Sequence, residues 1–152
     1  MSTIAPTLRP TPIPRSTALR DDPAAQAFVL LRIAFTVAPI LFGLDKFAGV
    51  LTGDWERYLS SEFNSLIPGS AADAMYMVGL VEIVAGLIVA VAPRFGAYLV
   101  AAWLAGIILN LLLAGGYGDI ALRDFGLLLG ALTLARLASA YSRPGRSAVE
   151  HR

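Results

Sequence analysis

The 152-residue chain is 57% hydrophobic and 15% charged, with a formal net charge of +1 and a mean hydropathy of +0.67. This is far more apolar than a soluble domain, so the chain reads as an integral membrane protein, and no dense basic patch with interleaved aromatics points to nucleic acid. Cysteine is absent and the one histidine, His151, lies beside the C-terminus, which argues against disulfides, thiol chemistry, iron–sulfur ligation and any metal or haem site built on histidines.

Residues 1–26 begin with Pro6, Pro10, Pro12 and Pro14 among Ser and Thr. No apolar stretch precedes a small-residue cleavage site, so a disordered tail is expected here rather than a signal peptide. A membrane span needs about 20 apolar residues. Four stretches of that kind follow, at about 27–44, 74–92, 95–114 and 120–140. The expected fold is therefore an all-α membrane protein, a bundle of four transmembrane helices, followed by a short tail over 141–152.

Pro39 in the first span removes a backbone donor and predicts a kink. Between spans one and two, Trp55, Tyr58, Leu59, Phe63, Leu66 and Ile67 recur at helical spacing behind Asp54, a candidate N-cap. They predict an amphipathic helix over about 54–67, lying at the membrane surface or over the bundle mouth. Ser70 and Asp73 have the spacing of a capping box that opens span two. Only Pro93-Arg94 separates spans two and three, which forces a hairpin, and 115–119 is a glycine-rich turn before span four. Small residues at helix-contact spacing, Ala97, Ala101 and Ala105 in span three and Gly126 with Gly130 in span four, predict close helix packing.

Arginines set the expected orientation. Arg9, Arg15 and Arg20 precede span one, Arg94 joins spans two and three, and Arg136, Arg143, Arg146 and Arg152 lie at the C-terminal end. The other side carries only Lys46, Arg57 and Arg123. Both termini are expected in the cytoplasm and the amphipathic loop outside, in a multi-pass inner-membrane protein.

Within 75–92 the only charge is Glu82. A charge at the bilayer centre costs at least roughly 2.5 kcal/mol, so such residues usually face protein, pair, or do chemistry. At about 1.5 Å per residue, Glu82 lies roughly 10 Å below the outer start of its helix. Lys46 and Asp45 end span one, Asn110 is one turn from the outer end of span three, and Arg123 and Asp124 open span four. Polarity from all four helices thus converges on the outer half. Glu82 is expected to meet Arg123 or Lys46, with Asn110 bridging. Arg123 and Asp124, about 100° apart on their helix, cannot both address one partner. Arg32, near the inner end of span one, can snorkel. The candidate ligand-binding set is Lys46, Glu82, Asn110, Arg123 and Asp124, with Glu82 as candidate proton carrier. The same network could also simply fix helix register.

Gly43-Leu44-Asp45-Lys46-Phe47 resembles the Gly-x-x-Lys ending of the first helix in the DoxX family. Gly79-Leu80-Val81-Glu82-Ile83-Val84-Ala85-Gly86 resembles the Gly-x-x-Glu-x-x-x-Gly of its second, and Arg123-Asp124 the Arg-Asp opening of its fourth. The resemblance covers about residues 32–136. It implies a four-helix inner-membrane protein, in several cases a subunit linked to quinone or sulfur oxidoreductases or to oxidative-stress defence. The leading expectation is an accessory subunit of a membrane redox complex that binds a quinone or lipid without covalent attachment. Its partners would be membrane lipid, redox subunits and further copies of itself, and any electrons would arrive from a partner. A stand-alone lipid or small-solute binder or transporter, and a scaffold or assembly factor without chemistry, are the competing readings.

Overall fold

The computed structural model describes residues 22–141, whose regular structure is helical throughout. Helix α1 spans Pro23–Ala48, α2 Ser61–Leu66, α3 Ala71–Val91, α4 Pro93–Ala114 and α5 Gly118–Tyr141, with a single 3₁₀ turn at Glu56–Tyr58. Three of these, α1, α3 and α4, are long and apolar enough to cross a membrane, which marks the chain as a membrane protein. Helix α5 has 24 residues but includes Asp119, Arg123, Asp124 and Arg136, which lower its apolarity. The tails expected over 1–26 and 141–152 fall outside the described residues except at 22–26 and 141.

Each long helix starts and stops for local reasons. Asp22 accepts a hydrogen bond from the Ala24 amide and Pro23 occupies the first turn, so α1 begins four residues before the expected span. It runs on through Pro39 and stops at Gly49, whose φ of 61° suits glycine. The Ser70–Asp73 capping box forms in full at the start of α3: the Ser70 hydroxyl accepts from the Asp73 amide, and the Asp73 carboxylate accepts from the Ser70 amide. Ala92 ends α3 and precedes Pro93 at the start of α4, which makes the hairpin. Gly115 and Gly116, at φ 74° and 79°, turn the chain toward α5.

The loop departs from expectation. No single helix covers 54–67. The 3₁₀ turn ends in extended backbone at Leu59, and α2 starts afresh with Ser60 as its N-cap. The i, i+3, i+4 pattern of Trp55, Tyr58, Leu59 and Phe63 is met by two short pieces, and Leu66 stays exposed.

Helix α1 packs mainly along α3, and α4 mainly along α5, while α3 meets α4 and α1 meets α5. All four contribute to one apolar core of Phe35, Ala85, Val89, Ala97, Val100, Ala101, Leu104, Ala131, Leu134 and Ala135. Many of these are alanines, which lets the backbones approach closely. Ala97 and Ala101 are buried in that core, and a Cβ on Gly130 would meet the Phe35 ring at 3.2 Å. Ala105 and Gly126, expected to join them, instead lie on outward faces. The outer surface is apolar, with Leu30, Ile33, Leu80, Leu87, Leu112 and Leu122 all exposed, as a lipid-facing surface requires.

Helix α5 ends where α1 begins. The Tyr141 hydroxyl donates to Asp22 Oδ2 at 2.7 Å, and the Tyr141 ring lies 5.5 Å from that of Phe28. The Tyr141 hydroxyl and the Ala24 amide hold the Asp22 carboxyl below the usual carboxylate range. A depressed carboxylate contributes stability that is present above its unfolded pKa and is lost as pH falls through the folded value. Hydrogen exchange at the Ala24 amide should therefore accelerate only below the ordinary carboxylate range, and Asp22→Asn should remove that pH dependence. On the same end, Arg32 donates to the Ala90 carbonyl in the last turn of α3, which favours a cation.

Candidate functional site at the loop end of the helices

Two glycines bring the site together. A Cβ on Gly43 would stand 2.5 Å from the Gly79 carbonyl oxygen, and one on Gly79 would stand 2.8 Å from the Gly43 carbonyl oxygen. Helices α1 and α3 thus touch backbone to backbone at this point. One turn on from each glycine stand Lys46 and Glu82, at i+3, and i+3 positions share a helix face. Their side chains meet: Lys46 Nζ donates to Glu82 Oε2 at 2.7 Å, with the two side chains only 5% and 11% exposed.

Lys46 is therefore the cation that Glu82 meets. Arg123 is not. Its side chain is 70% exposed and its one ion pair is with neighbouring Asp124, at 3.9 Å. The step of about 100° between them turns Asp124 inward and Arg123 out. Asp124 is 9% exposed, and its charge is close enough to act on the Glu82 carboxylate. Helix α5 thus brings a second carboxylate to the cluster rather than a counter-charge.

Asn110 does not bridge to Glu82 either. Its Oδ1 accepts from the Ser60 amide at 2.9 Å and its Nδ2 donates to the Tyr58 carbonyl at 2.6 Å. It fastens the loop to α4 at the break between the 3₁₀ turn and α2. Tyr117 assists by donating to the Arg57 carbonyl at 3.0 Å. Asn110→Leu would leave the buried Ser60 amide and the Tyr58 carbonyl unpaired, at a cost of about 1–3 kcal/mol. Limited proteolysis should then cut the loop faster while the long helices persist.

Three residues outside the expected set complete the arrangement. Asp45, 5% exposed, accepts from the Val50 and Leu51 amides at 2.9 and 2.8 Å and from Trp55 Nε1 at 3.0 Å. It folds the chain back after α1 and places Trp55. The Trp55 ring then covers Lys46, with Nζ 4.1 Å from the ring centroid, a cation–π contact. Trp103 on α4 has a buried Nε1 with no hydrogen-bond partner among the described residues, and the α3–α4 hairpin, in close contact at Val89 and Gly96, sets it level with Glu82. Asp45 was visible in sequence as a charge next to Lys46 and Trp55 as an aromatic of the amphipathic loop, but nothing linked Trp55 to Lys46, and Trp103 carried no distinguishing signal.

Lys46 and Trp55 also border a partly open hollow of about 190 Å³ between the end of α1, the loop and the start of α3. Phe47, Met75 and Tyr76 line it as well, and the Phe47 and Tyr76 rings stack at 5.2 Å. The Lys46 ammonium thus has the Glu82 carboxylate and the Trp55 face as partners, while Lys46 is also one of the residues that wall the hollow. Glu82, Trp103 and Asp124 do not line the hollow, so Lys46 is the connection between it and the buried acids. Comparison with protein-family models, curated proteins and solved structures finds no match for this chain.

Proposed function

We propose that this is a four-span membrane protein of the DoxX type that binds the headgroup of a quinone at Lys46, as a subunit of a membrane redox complex. Two observations support the fourth span. Helix α5 leaves the loop end and returns to the Asp22 end beside the start of α1, and it exposes Leu122, Phe125, Leu129 and Leu132. An even number of crossings agrees with the arginines that flank both termini, so the loop and the site face outward across an inner membrane.

The observation that carries the ligand reading is Lys46 itself, whose buried ammonium is held by Glu82 and covered by Trp55 while the residue borders a hollow with Phe47, Trp55 and Tyr76 in its wall. An ammonium has three donors, and Glu82 takes one. In this reading another turns to an acceptor oxygen in the hollow, whose wall includes Trp55 and Tyr76. At about 190 Å³ the hollow is smaller than the roughly 300–1,000 Å³ of pockets that enclose a drug-sized ligand. It suits a headgroup whose tail lies in lipid. A quinone, when bound, would supply the two-electron redox chemistry. The chain would bind its carbonyl through Lys46 and hold at Glu82 a carboxylate that exchanges a proton through that same lysine. The sequence has no cysteine and one terminal histidine, so electrons would come from a partner subunit.

Gentle purification from native membranes, followed by native mass spectrometry and solvent extraction, tests this. Quinone and redox subunits should accompany the wild type, and Lys46→Met should lose the quinone. A wild type that carries no quinone would overturn the reading. The direct Gly43–Gly79 contact favours a second reading, in which Lys46–Glu82 is only a clamp between α1 and α3. The pair exchanged as Lys46→Glu with Glu82→Lys would then restore function; the ligand reading expects no rescue, because the hollow would meet a carboxylate.

A further inference from the structure

Glu82 is approached by two donors from two helices. Lys46 on α1 closes the one hydrogen bond, to Oε2. Trp103 on α4 keeps a buried indole N–H with no hydrogen-bond partner among the described residues, and the close contact of Gly96 with Val89 in the α3–α4 hairpin sets Trp103 level with Glu82. A buried donor left unpaired is costly and is usually retained for a reason. The two donors differ in what else they reach, since Lys46 borders the hollow and Trp103 does not. The remaining charged group that acts on Glu82 is Asp124, which repels it.

We propose that Trp103 is a positioning residue for Glu82: its indole N–H closes on the carboxylate when Lys46 turns toward an acceptor in the hollow. Without that second donor, a ligand that draws Lys46 away would leave Glu82 buried beside Asp124 with no hydrogen bond. With it, Glu82 exchanges one donor for another, and the ligand does not have to offset an orphaned carboxylate. The proposal rests on the reading of the hollow as a ligand site, but the exchange itself is open to test without a ligand.

The full chain, ¹⁵N-labelled at tryptophan in lipid nanodiscs, gives two indole signals, from Trp55 and Trp103, which Trp103→Phe assigns. Lys46→Met removes the first donor. The Trp103 indole proton should then shift downfield and exchange with solvent about tenfold more slowly, the protection of one added hydrogen bond. Glu82→Ala on that background should abolish both changes. Lys46→Gln serves the same purpose should Lys46→Met fold poorly. A Trp103 signal that stays at its wild-type position and exchange rate in both Lys46 variants overturns the proposal. A short-chain benzoquinone added to wild type should reproduce the Lys46→Met shift. If the variants move the signal and benzoquinone does not, the donor exchange stands and the quinone reading of the hollow fails.

Discussion

Lys46→Ala should destabilise the protein by about 3–5 kcal/mol, the usual cost of removing one partner from a buried ion pair. The loss comes less from the missing attraction than from what remains. Glu82 would be left 8% exposed, with Asp124 close enough to repel it and only the Trp103 indole to receive it. Glu82→Ala should cost somewhat less, because the orphaned ammonium can turn toward the hollow and keeps the Trp55 face at 4.1 Å. The double change Lys46→Met with Glu82→Leu should return most of the loss, since apolar replacements of buried ion pairs are often neutral or stabilising by about 1–4 kcal/mol. Arg123→Ala should change stability by less than about 1 kcal/mol, because its pair is 70% exposed on the arginine side and 3.9 Å long. Unfolding in one mild detergent, followed by circular dichroism, ranks all four. If both Lys46→Ala and Glu82→Ala fall below the Arg123→Ala limit, water reaches the pair and it behaves as a surface ion pair.

That ranking turns on residues the sequence identified unevenly. Glu82 is legible as the only charge in a long apolar stretch, and the glycines three residues before Lys46 and Glu82 are legible as parts of the Gly-x-x-Lys and Gly-x-x-Glu strings, though not as the contact between two helices. Their meeting does not follow from those two facts: α1 and α3 run antiparallel, so Lys46 and Glu82 stand one turn to either side of the glycine contact, and the long lysine side chain spans the distance between them. The choice of Lys46 over Arg123 was not legible. It depends on the rotation of α5 about its axis, which follows from burial of Ala121, Ala131, Leu134 and Ala138 on the same face as Asp124. Asn110 was misassigned for a different reason. Its partners are the Tyr58 carbonyl and the Ser60 amide, and backbone donors and acceptors carry no residue-type signal. The loop helix failed because i, i+3, i+4 spacing over 14 residues fits one helix or two short turns equally well. Ser60, a better N-cap in place than Asp54, decided between them.

Gly79→Ala and Gly43→Ala should each cost about 1–3 kcal/mol, as overpacking in a tight contact does, and should also break the ion pair. The added methyl has nowhere to go. On Gly79 it meets the Gly43 carbonyl at 2.8 Å and Lys46 Cβ at 3.1 Å; on Gly43 it meets the Gly79 carbonyl at 2.5 Å and Ile83 Cγ1 at 2.8 Å. Backbone atoms cannot step aside, so α1 and α3 must separate, and Lys46 Nζ moves out of hydrogen-bond range of Glu82. Two comparisons isolate that effect. Gly86→Ala is equally tight, with the Thr36 carbonyl and Ile40 Cγ1 both at 2.7 Å, but it lies two turns toward the other end of α1 and α3. It should match Gly79→Ala in stability lost while leaving the Trp103 indole signal at its wild-type position. Gly106→Ala and Gly126→Ala meet nothing within 4 Å. They should be neutral or stabilising by up to about 1 kcal/mol, because alanine is the better helix former. Opposite signs for Gly79 and Gly126, with Trp103 disturbed at Gly79 and not at Gly86, would show that the glycine contact places the Lys46–Glu82 pair. Equal Trp103 responses at Gly79 and Gly86 would mean that the glycines serve packing alone.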